Sequence, residues 1–484
     1  MTRALLWWGT CCLVASGCVE RPVTTSLVEA DAAVDAGFDD AGFEEGPADA
    51  GPPSTGPDAG ACDPSAEPGS WAWMGGGASA LEHGRYGTQG VAHPNNRPGA
   101  RRYAAAWVDP EGTFWLFGGW GYAASGQAGY LDDLWKFDGT NWTWVSGASW
   151  PNQPGAYSAG GSPGARELAA GWVDRAGALW LFGGYGFAKS RLEGYLSDVW
   201  KFDGQRWTWV GGADTSDQPG WYGDGGTPGA RASPATWVDE RGAWLFGGRG
   251  YGEDSGVGDL DDLWRFEGTS WAWVSGSPAA SDSLGVHGTK GSADAGSTPG
   301  GLQLSATWSQ GGALWLFGGD EAGLEGSTDE LWRFDGTSWT WVTGTGASTP
   351  GAYSTGTYGQ RGVVDSTNSP GSRRAAIAWA DRCENLWLAG GYGWGQLAGS
   401  AHGPGPLNDV WRFDGTNWTW MGGSSFVDQP GSYPVADGGD GSPGARYGAA
   451  WWVAHNGDLW VFGGMGIDGA GRQGELNDLW RYRR

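Results

Sequence analysis

Apolar residues in this chain come in short runs separated by glycine and aspartate. One stretch reads Ala104-Ala105-Ala106-Trp107-Val108, then Phe114-Trp115-Leu116-Phe117, then Leu134-Trp135-Lys136-Phe137, then Trp142-Thr143-Trp144-Val145. Asp-Pro-Glu-Gly, Gly-Gly and Asp-Gly-Thr-Asn segments lie between the runs. Runs of this length, rich in aromatic and branched residues and bounded by turn formers, predict strands rather than helices. The four-run block recurs six times. Its Gly-Gly pairs fall at Gly118-Gly119, Gly183-Gly184, Gly247-Gly248, Gly318-Gly319, Gly390-Gly391 and Gly463-Gly464, at spacings of 65, 64, 71, 72 and 73 residues. These blocks are numbered as repeats one to six.

The two ends of the repeated region are complementary. Ser70-Trp71-Ala72-Trp73-Met74-Gly75-Gly76 matches a fourth strand with no first three before it, and Leu479-Trp480-Arg481-Tyr482 is a third strand with no fourth after it. Four strands per repeat, repeated radially, predict an all-β fold. Specifically, they predict a six-bladed β-propeller with four antiparallel strands per blade, closed by the N-terminal strand completing the last blade. Closure of that kind removes two unpaired sheet edges.

The repeat also explains the composition. Of 37 Trp, 30 sit at equivalent strand positions, and 94 Gly follow from the many turns. A large aromatic recurring at one position in every repeat reads as packing between sheets.

The region before the repeats differs in kind. Arg3, the apolar run Ala4 to Val14 and Ala15-Ser16-Gly17-Cys18 resemble a bacterial lipoprotein signal. The resemblance implies cleavage before Cys18, lipidation of that residue and export, although Ala15 stands where Leu is usual. An ordinary signal peptide with an incidental Cys is the alternative. Val19 rather than Asp after the Cys tilts the expected anchor site towards the outer membrane. Residues 1–18 are thus the signal, 19–69 an acidic Ala/Asp/Gly/Pro tether with 12 acids and one Arg, and 70–484 the propeller. The tether lacks apolar surface to fold around and would span roughly 40 Å as a coil. The net charge of −25 argues against nucleic acid or anionic lipid as partners, leaving the lipid anchor as the membrane contact. Of the cysteines beyond Cys18, Cys62 and Cys383 would form a disulfide or remain two thiols.

Apolar residues running into Gly-Gly, followed by Asn-Asp-x-Trp, resemble the kelch repeat. Good copies are Leu459-Trp460-Val461-Phe462-Gly463-Gly464 with Leu476-Asn477-Asp478-Leu479-Trp480, and Leu407-Asn408-Asp409-Val410-Trp411. The resemblance covers residues 70–484. It implies the propeller but no one function, since kelch propellers serve as binding scaffolds, enzymes and assembly parts. Extracellular kelch enzymes of the galactose oxidase type hold copper with Tyr and His beside a Tyr–Cys crosslink. This chain departs from that pattern, because its propeller Cys is Cys383 in a short turn and its His residues are scattered singly. No catalytic or metal-binding constellation stands out, and no cofactor is expected. Asp132-Asp133, Asp261-Asp262 and Asp437-Gly438-Gly439-Asp440-Gly441 lack the spacing of a Ca²⁺ loop.

Strand alternation puts the two long loop classes on one face, the one expected to carry function. Ligand-binding candidates there are Trp120, Tyr122, Tyr185, Tyr251, Tyr392 and Trp394 after the Gly-Gly pairs, and Trp150 and Trp221 in the loops between repeats. The recurrent Tyr157, Tyr222 and Tyr433, with the related Tyr353, suit packing of loop on loop. Arg101, Arg166, Arg231, Arg373 and Arg446 open the first strands, while repeat four has Leu302. These arginines are expected at the mouth of the central channel. There they would capture an anion, or pair with loop carbonyls or the Asp of a neighbouring blade. The resulting expectation is an exported, lipid-anchored, monomeric binding module for a protein or glycan. An extracellular carbohydrate-active enzyme using the central pocket and a structural envelope lipoprotein are the alternatives.

Overall fold

The computed structural model describes residues 68–280, 282–321, 326–346, 353–396, 403–434 and 439–484. The signal, nearly all of the tether, Cys18 and Cys62 lie outside the described residues. Every regular element among them is a β-strand, and every pairing is antiparallel. The four runs of each repeat form a meander. In repeat two, for example, Ala170–Val173, Leu179–Phe187, Glu193–Phe202 and Trp207–Gly211 follow one another in sheet order. In repeat six the fourth place is taken by Ser70–Gly75, which pairs with Gln473–Arg483 from Ser70 opposite Arg483 to Gly75 opposite Leu479.

Neighbouring sheets pack face to face through the recurrent aromatics. Each of six apolar clusters joins two consecutive repeats, and one of them joins repeat six to repeat one through Trp452, Trp460 and Phe462 against Phe114, Leu116 and Trp135. Indole N–H groups of first strands cross the same seams. Trp107 donates to the Trp180 carbonyl at 3.1 Å, Trp237 to Trp315 at 3.0 Å, and Trp452 to Trp115 at 3.0 Å. These three first-strand Trp residues thus contribute area and satisfy their one polar atom.

A second set of bonds runs around the first strands. Tyr103, Leu168, Ser233, Leu304 and Ala375 all have positive φ, between 50° and 59°, and Gly448 has 61°. Five of the six are not glycine, so a repeated reason must hold them there. Each donates its backbone N–H to the carbonyl of its counterpart in the preceding repeat: Leu168 to Tyr103, Ser233 to Leu168, Leu304 to Ser233, Ala375 to Leu304 and Gly448 to Ala375, with Tyr103 donating to Gly448. The left-handed turn aims the N–H across the seam, and the hydrogen bond offsets the conformational cost.

The five arginines do not line a channel. Their side chains are 0–3% exposed, and each guanidinium makes two bonds of 2.5–2.8 Å to an aspartate: Asp133, Asp198, Asp262, Asp409 and Asp478 in turn. The partner belongs to the third strand of the same repeat, not to a neighbouring one. A guanidinium taken out of water at the domain interior needs all its donors occupied. Here the Nε–H bonds the carbonyl two residues earlier and an Nη–H bonds the first Gly of the Gly-Gly pair, at 2.9–3.1 Å. The same aspartate accepts from the third-strand Trp two residues on. It also accepts from the hydroxyl of a loop tyrosine: Tyr86, Tyr157, Tyr222, Tyr358 or Tyr433. Those tyrosines stand edge-on to a fourth-strand Trp, as Tyr157 does to Trp209 at 5.2 Å and 88°. The fifth member of the set is Tyr358 and not Tyr353, which instead stacks on Trp394 at 3.7 Å.

Repeat four replaces the whole set. Leu302 is buried where Arg would be, Glu330 stands for Asp, and His287 stands for Tyr, with His287 Nε2 2.7 Å from Glu330 Oε1. Trp332 donates to Glu330 at 2.9 Å, and Ser305 Oγ bonds the Gly318 carbonyl at 2.9 Å in place of the missing guanidinium. The Gly318 carbonyl and the Glu330 carboxylate, counterparts of two groups that the arginine serves elsewhere, thus have other partners.

Removing one member of a buried ion pair strands the other. Arg166→Met is therefore expected to cost about 3–5 kcal/mol by denaturant unfolding. Ser305→Ala, which orphans one carbonyl, is expected to cost about 1–3 kcal/mol. Equal, small effects of both would refute the account.

Candidate functional site

The residue after each buried arginine cannot follow it inward, because side chains alternate along a strand. At that position stand Arg102, Glu167, Ala232, Gln303, Arg374 and Tyr447, one from each repeat. Opposite them, paired across the short strands that follow Gly-Gly, stand Trp120, Tyr185, Arg249, Asp320, Tyr392 and Met465. One strand further out are Tyr130, Tyr195, Asp259, Pro406 and Glu475. The backbone here repeats and the side chains do not. Gly-Gly makes the geometry possible: a Cβ on Gly118 would lie 2.7 Å from the Arg166 carbonyl of the next repeat.

The rim is built of guanidinium, carboxylate and aromatic groups in contact. Arg102 bonds Glu475 at 2.6 Å, comes within 3.7 Å of Glu167, and lies over the Trp120 ring at 4.6 Å. Arg374 bonds Asp320 at 2.6 Å and covers Tyr392 at 4.8 Å, while Arg249 bonds Asp259 at 3.1 Å. Such stacks combine ion pairing with cation–π attraction in a planar, partly desolvated arrangement. Tyr103 reaches towards Tyr447, with ring centroids 6.3 Å apart. It also helps line a cavity of about 180 Å³ formed by the six left-handed residues and their successors. A larger cavity of about 540 Å³ is bounded by first-strand residues such as Ala106, Gly171, Thr236, Thr307 and Trp451. No carboxylate or guanidinium lines either cavity. The acids and arginines that a central-pocket enzyme would need are at the rim or buried.

The sequence candidates separate accordingly. Trp120, Tyr185 and Tyr392 belong to the rim and are half-buried. Tyr122 stacks on His83 at 6.1 Å, and Tyr251 lies 6.1 Å from Tyr195. Trp394 is covered on one face by Tyr353, and Trp150 and Trp221 stand out at 55% exposure. Arg101, Arg166, Arg231, Arg373 and Arg446 are structural, as described above. Cys383 sits in the turn between first and second strands of repeat five, its N–H donating to Asp381. Residues missed from sequence are Arg102, Tyr103, Tyr130, Glu167, Tyr195, Arg249, Asp320, Arg374, Tyr447 and Glu475. The available signal was variation: one column of the repeat reads Arg, Glu, Ala, Gln, Arg, Tyr between columns that hardly change.

Burial pushes the Glu167 carboxyl up to about 7, against the pull of Arg102 and with the help of Glu475. Its Oε2 accepts no hydrogen bond among the described residues. Burial likewise pushes Asp132 and Glu321 up to about 7 and Asp259 up to about 6.

No family model matches the chain, and no curated protein matches it. Among solved structures, one titled "Structure of YjhT" aligns over 81% of this chain and 96% of that chain, at 15% identity and a TM-score of 0.47.

The raised carboxyls set a direction for pH dependence. A carboxyl whose folded pKa exceeds its unfolded value of about 4 holds its proton more tightly in the folded chain. Between about pH 4 and pH 7 the folded chain therefore carries the extra protons, and stability falls as pH rises through that window. The thermal midpoint is expected to drop from pH 5 to pH 8, and Glu167→Gln should make the drop smaller. A midpoint that rises over this range would contradict the assignment.

Proposed function

We propose that the chain is an exported, lipid-anchored kelch-type propeller that acts as a non-catalytic binding module, with the long-loop rim as its recognition surface. Its six meanders are six blades. What supports closure into one ring is the seam set: Tyr103 to Gly448, Trp452 to Trp115, and Ser70–Gly75 beside Gln473–Arg483. The lipidation reading rests on residues 1–18, with Cys18 as the acylated residue and the tether as a spacer. The expected state is a monomer, and the expected ligand is a protein or a glycan.

One observation carries the binding reading. The rim is where the repeat symmetry fails, and it fails towards aromatic, guanidinium and carboxylate groups mounted on strand ends. Recurrent tyrosines are spent on buried aspartates, whereas the hydroxyls of Tyr130, Tyr185, Tyr251 and Tyr392 make no hydrogen bond among the described residues. Rigid elements presenting unspent polar tips beside apolar ring faces suit recognition. A second reading, a carbohydrate-active enzyme working at the rim, is favoured by Glu167 alone, a carboxyl pushed up to about 7 whose Oε2 accepts no hydrogen bond among the described residues and lies 3.7 Å from Arg102.

The test is a pull-down with the full chain against envelope proteins and glycans, repeated with Trp120→Ala and Tyr185→Ala forms of matched thermal midpoint. The expected result is a ligand retained by the native protein and reduced at least about tenfold in each variant. A ligand held equally by all forms would move recognition away from the rim. Turnover of a bound glycan that Glu167→Gln abolishes while affinity survives would replace the binding reading with the enzyme one.

A further inference from the structure

The rim is not uniform around its circumference. On repeats one to three its aromatics form a continuous row: Trp120 beside Tyr130 across one strand pair, Tyr130 6.0 Å from Tyr185, Tyr185 5.1 Å from Tyr195, and Tyr195 6.1 Å from Tyr251. A shorter run of three tyrosines, Tyr392 to Tyr447 at 5.3 Å and Tyr447 to Tyr103 at 6.3 Å, spans repeats five, six and one, while repeat four has Asp320 in place of an aromatic. The row crosses two seams between repeats, so its length comes from the assembly of sheets and not from one loop.

Charge along the row decides what it fits. At one end Arg102 is held by Glu475, and at the other Arg249 is held by Asp259. Neither guanidinium is available as a bare anion site, and the net charge of −25 repels polyanions. Few acids are left for a cation. Asp259 and Glu475 are paired with those arginines and burial pushes Glu167 up to about 7, which leaves Glu193, exposed, and Asp217, which accepts the Tyr195 backbone N–H. What remains is ring faces, the unspent hydroxyls of Tyr130, Tyr185 and Tyr251, and ion pairs that offer donors and acceptors side by side. Sugar rings present C–H faces and alternating hydroxyls, which complement that set, whereas a polyanion finds no uncompensated cation and a polycation finds only Glu193 and Asp217.

Resting on the rim as the recognition surface, we propose that the tyrosine row of repeats one to three binds an uncharged polysaccharide chain laid along it. Affinity electrophoresis of the full chain in detergent tests this, with gels containing xylan, mixed-linkage β-glucan or galactomannan as neutral probes and polygalacturonate as the anionic one. Poly-L-lysine titrated in solution is the cationic probe. The expected result is retardation by at least one neutral polysaccharide, little changed by added salt, and weakened at least about tenfold by Tyr185→Ala and by Tyr251→Ala. Phe426→Ala, on a loop after repeat five, should leave retardation unchanged. Tyr251 is half-buried and ends the row with one ring contact among the described residues, to Tyr195, so its variant reads out even if Tyr185→Ala is unstable. No retardation by any neutral polymer, or retardation that both tyrosine variants keep, overturns the proposal. Salt-sensitive binding of poly-L-lysine or polygalacturonate that Tyr185→Ala removes also overturns it, while leaving the rim as the recognition surface.

Discussion

Each buried arginine faces two ways, and the arrangement of the sheets depends on that. Its guanidinium clamps the third-strand aspartate of its own repeat, while its backbone belongs to the seam with the repeat before. Arg166, for example, accepts the Gly119 N–H through its carbonyl and donates its own N–H to Leu131, both in repeat one. A charge in the interior is tolerable only when every donor and acceptor around it is matched. Matching therefore fixes the incoming loop through its glycine carbonyl, the Gly-Gly kink, the third strand and the loop tyrosine at once. Any slip in one of these would leave a desolvated charge unpaired, a penalty well beyond that of a lost surface contact. The pair need not add net stability to be decisive. It makes alternative registers costly.

Repeat four shows which part of this is required. Leu302 keeps the backbone role, since its carbonyl accepts the Gly248 N–H at 2.8 Å. Only the side-chain role is vacated. Glu330, longer than Asp by one methylene, still reaches Trp332, and His287 reaches Glu330 where a tyrosine would have met an aspartate. Ser305, where four of the other repeats have alanine, supplies the donor that Gly318 would otherwise lack. The constraint is thus satisfaction of polar groups at the Gly-Gly kink and the third strand. The ion pair is one solution to it, and a His–Glu–Ser combination is another.

How much of this was legible in the sequence follows from what repeats. Strand number, strand order and the pairing of Ser70–Gly75 beside the last strand can be read because Trp and Gly-Gly recur with fixed phase. The loop tyrosines point the same way, because a repeated residue implies a repeated duty. For the arginines, pairing with loop carbonyls could be anticipated, but neither their burial nor their aspartate could, because that partner lies 31 to 36 residues away on another run of the same repeat. No local spacing announces such a pair. Tyr358 was missed for a related reason: the loop before it is longer, so the nearer Tyr353 took its place by motif alone. The rim was hidden by dispersion, its members being single residues drawn from separate repeats.

That dispersion is also the argument for the rim. The constant columns of the repeat are occupied by residues the scaffold needs, and a substitution there must be compensated nearby, as repeat four illustrates. The column next to the arginine is released from that duty by strand alternation. Its contents still meet each other across seams, and they do so in complementary fashion. A Cβ on Gly448 would lie 2.5 Å from the Tyr103 ring, so the glycine of repeat six makes room for the tyrosine of repeat one. Arg102 of repeat one lies between carboxylates of repeats two and six. Arg374 of repeat five reaches Asp320 of repeat four. Variation that was merely tolerated would not produce matched neighbours between separate repeats, 54 to 373 residues apart along the chain. A surface assembled from variable positions that nevertheless fit one another is the feature on which the proposed recognition role rests.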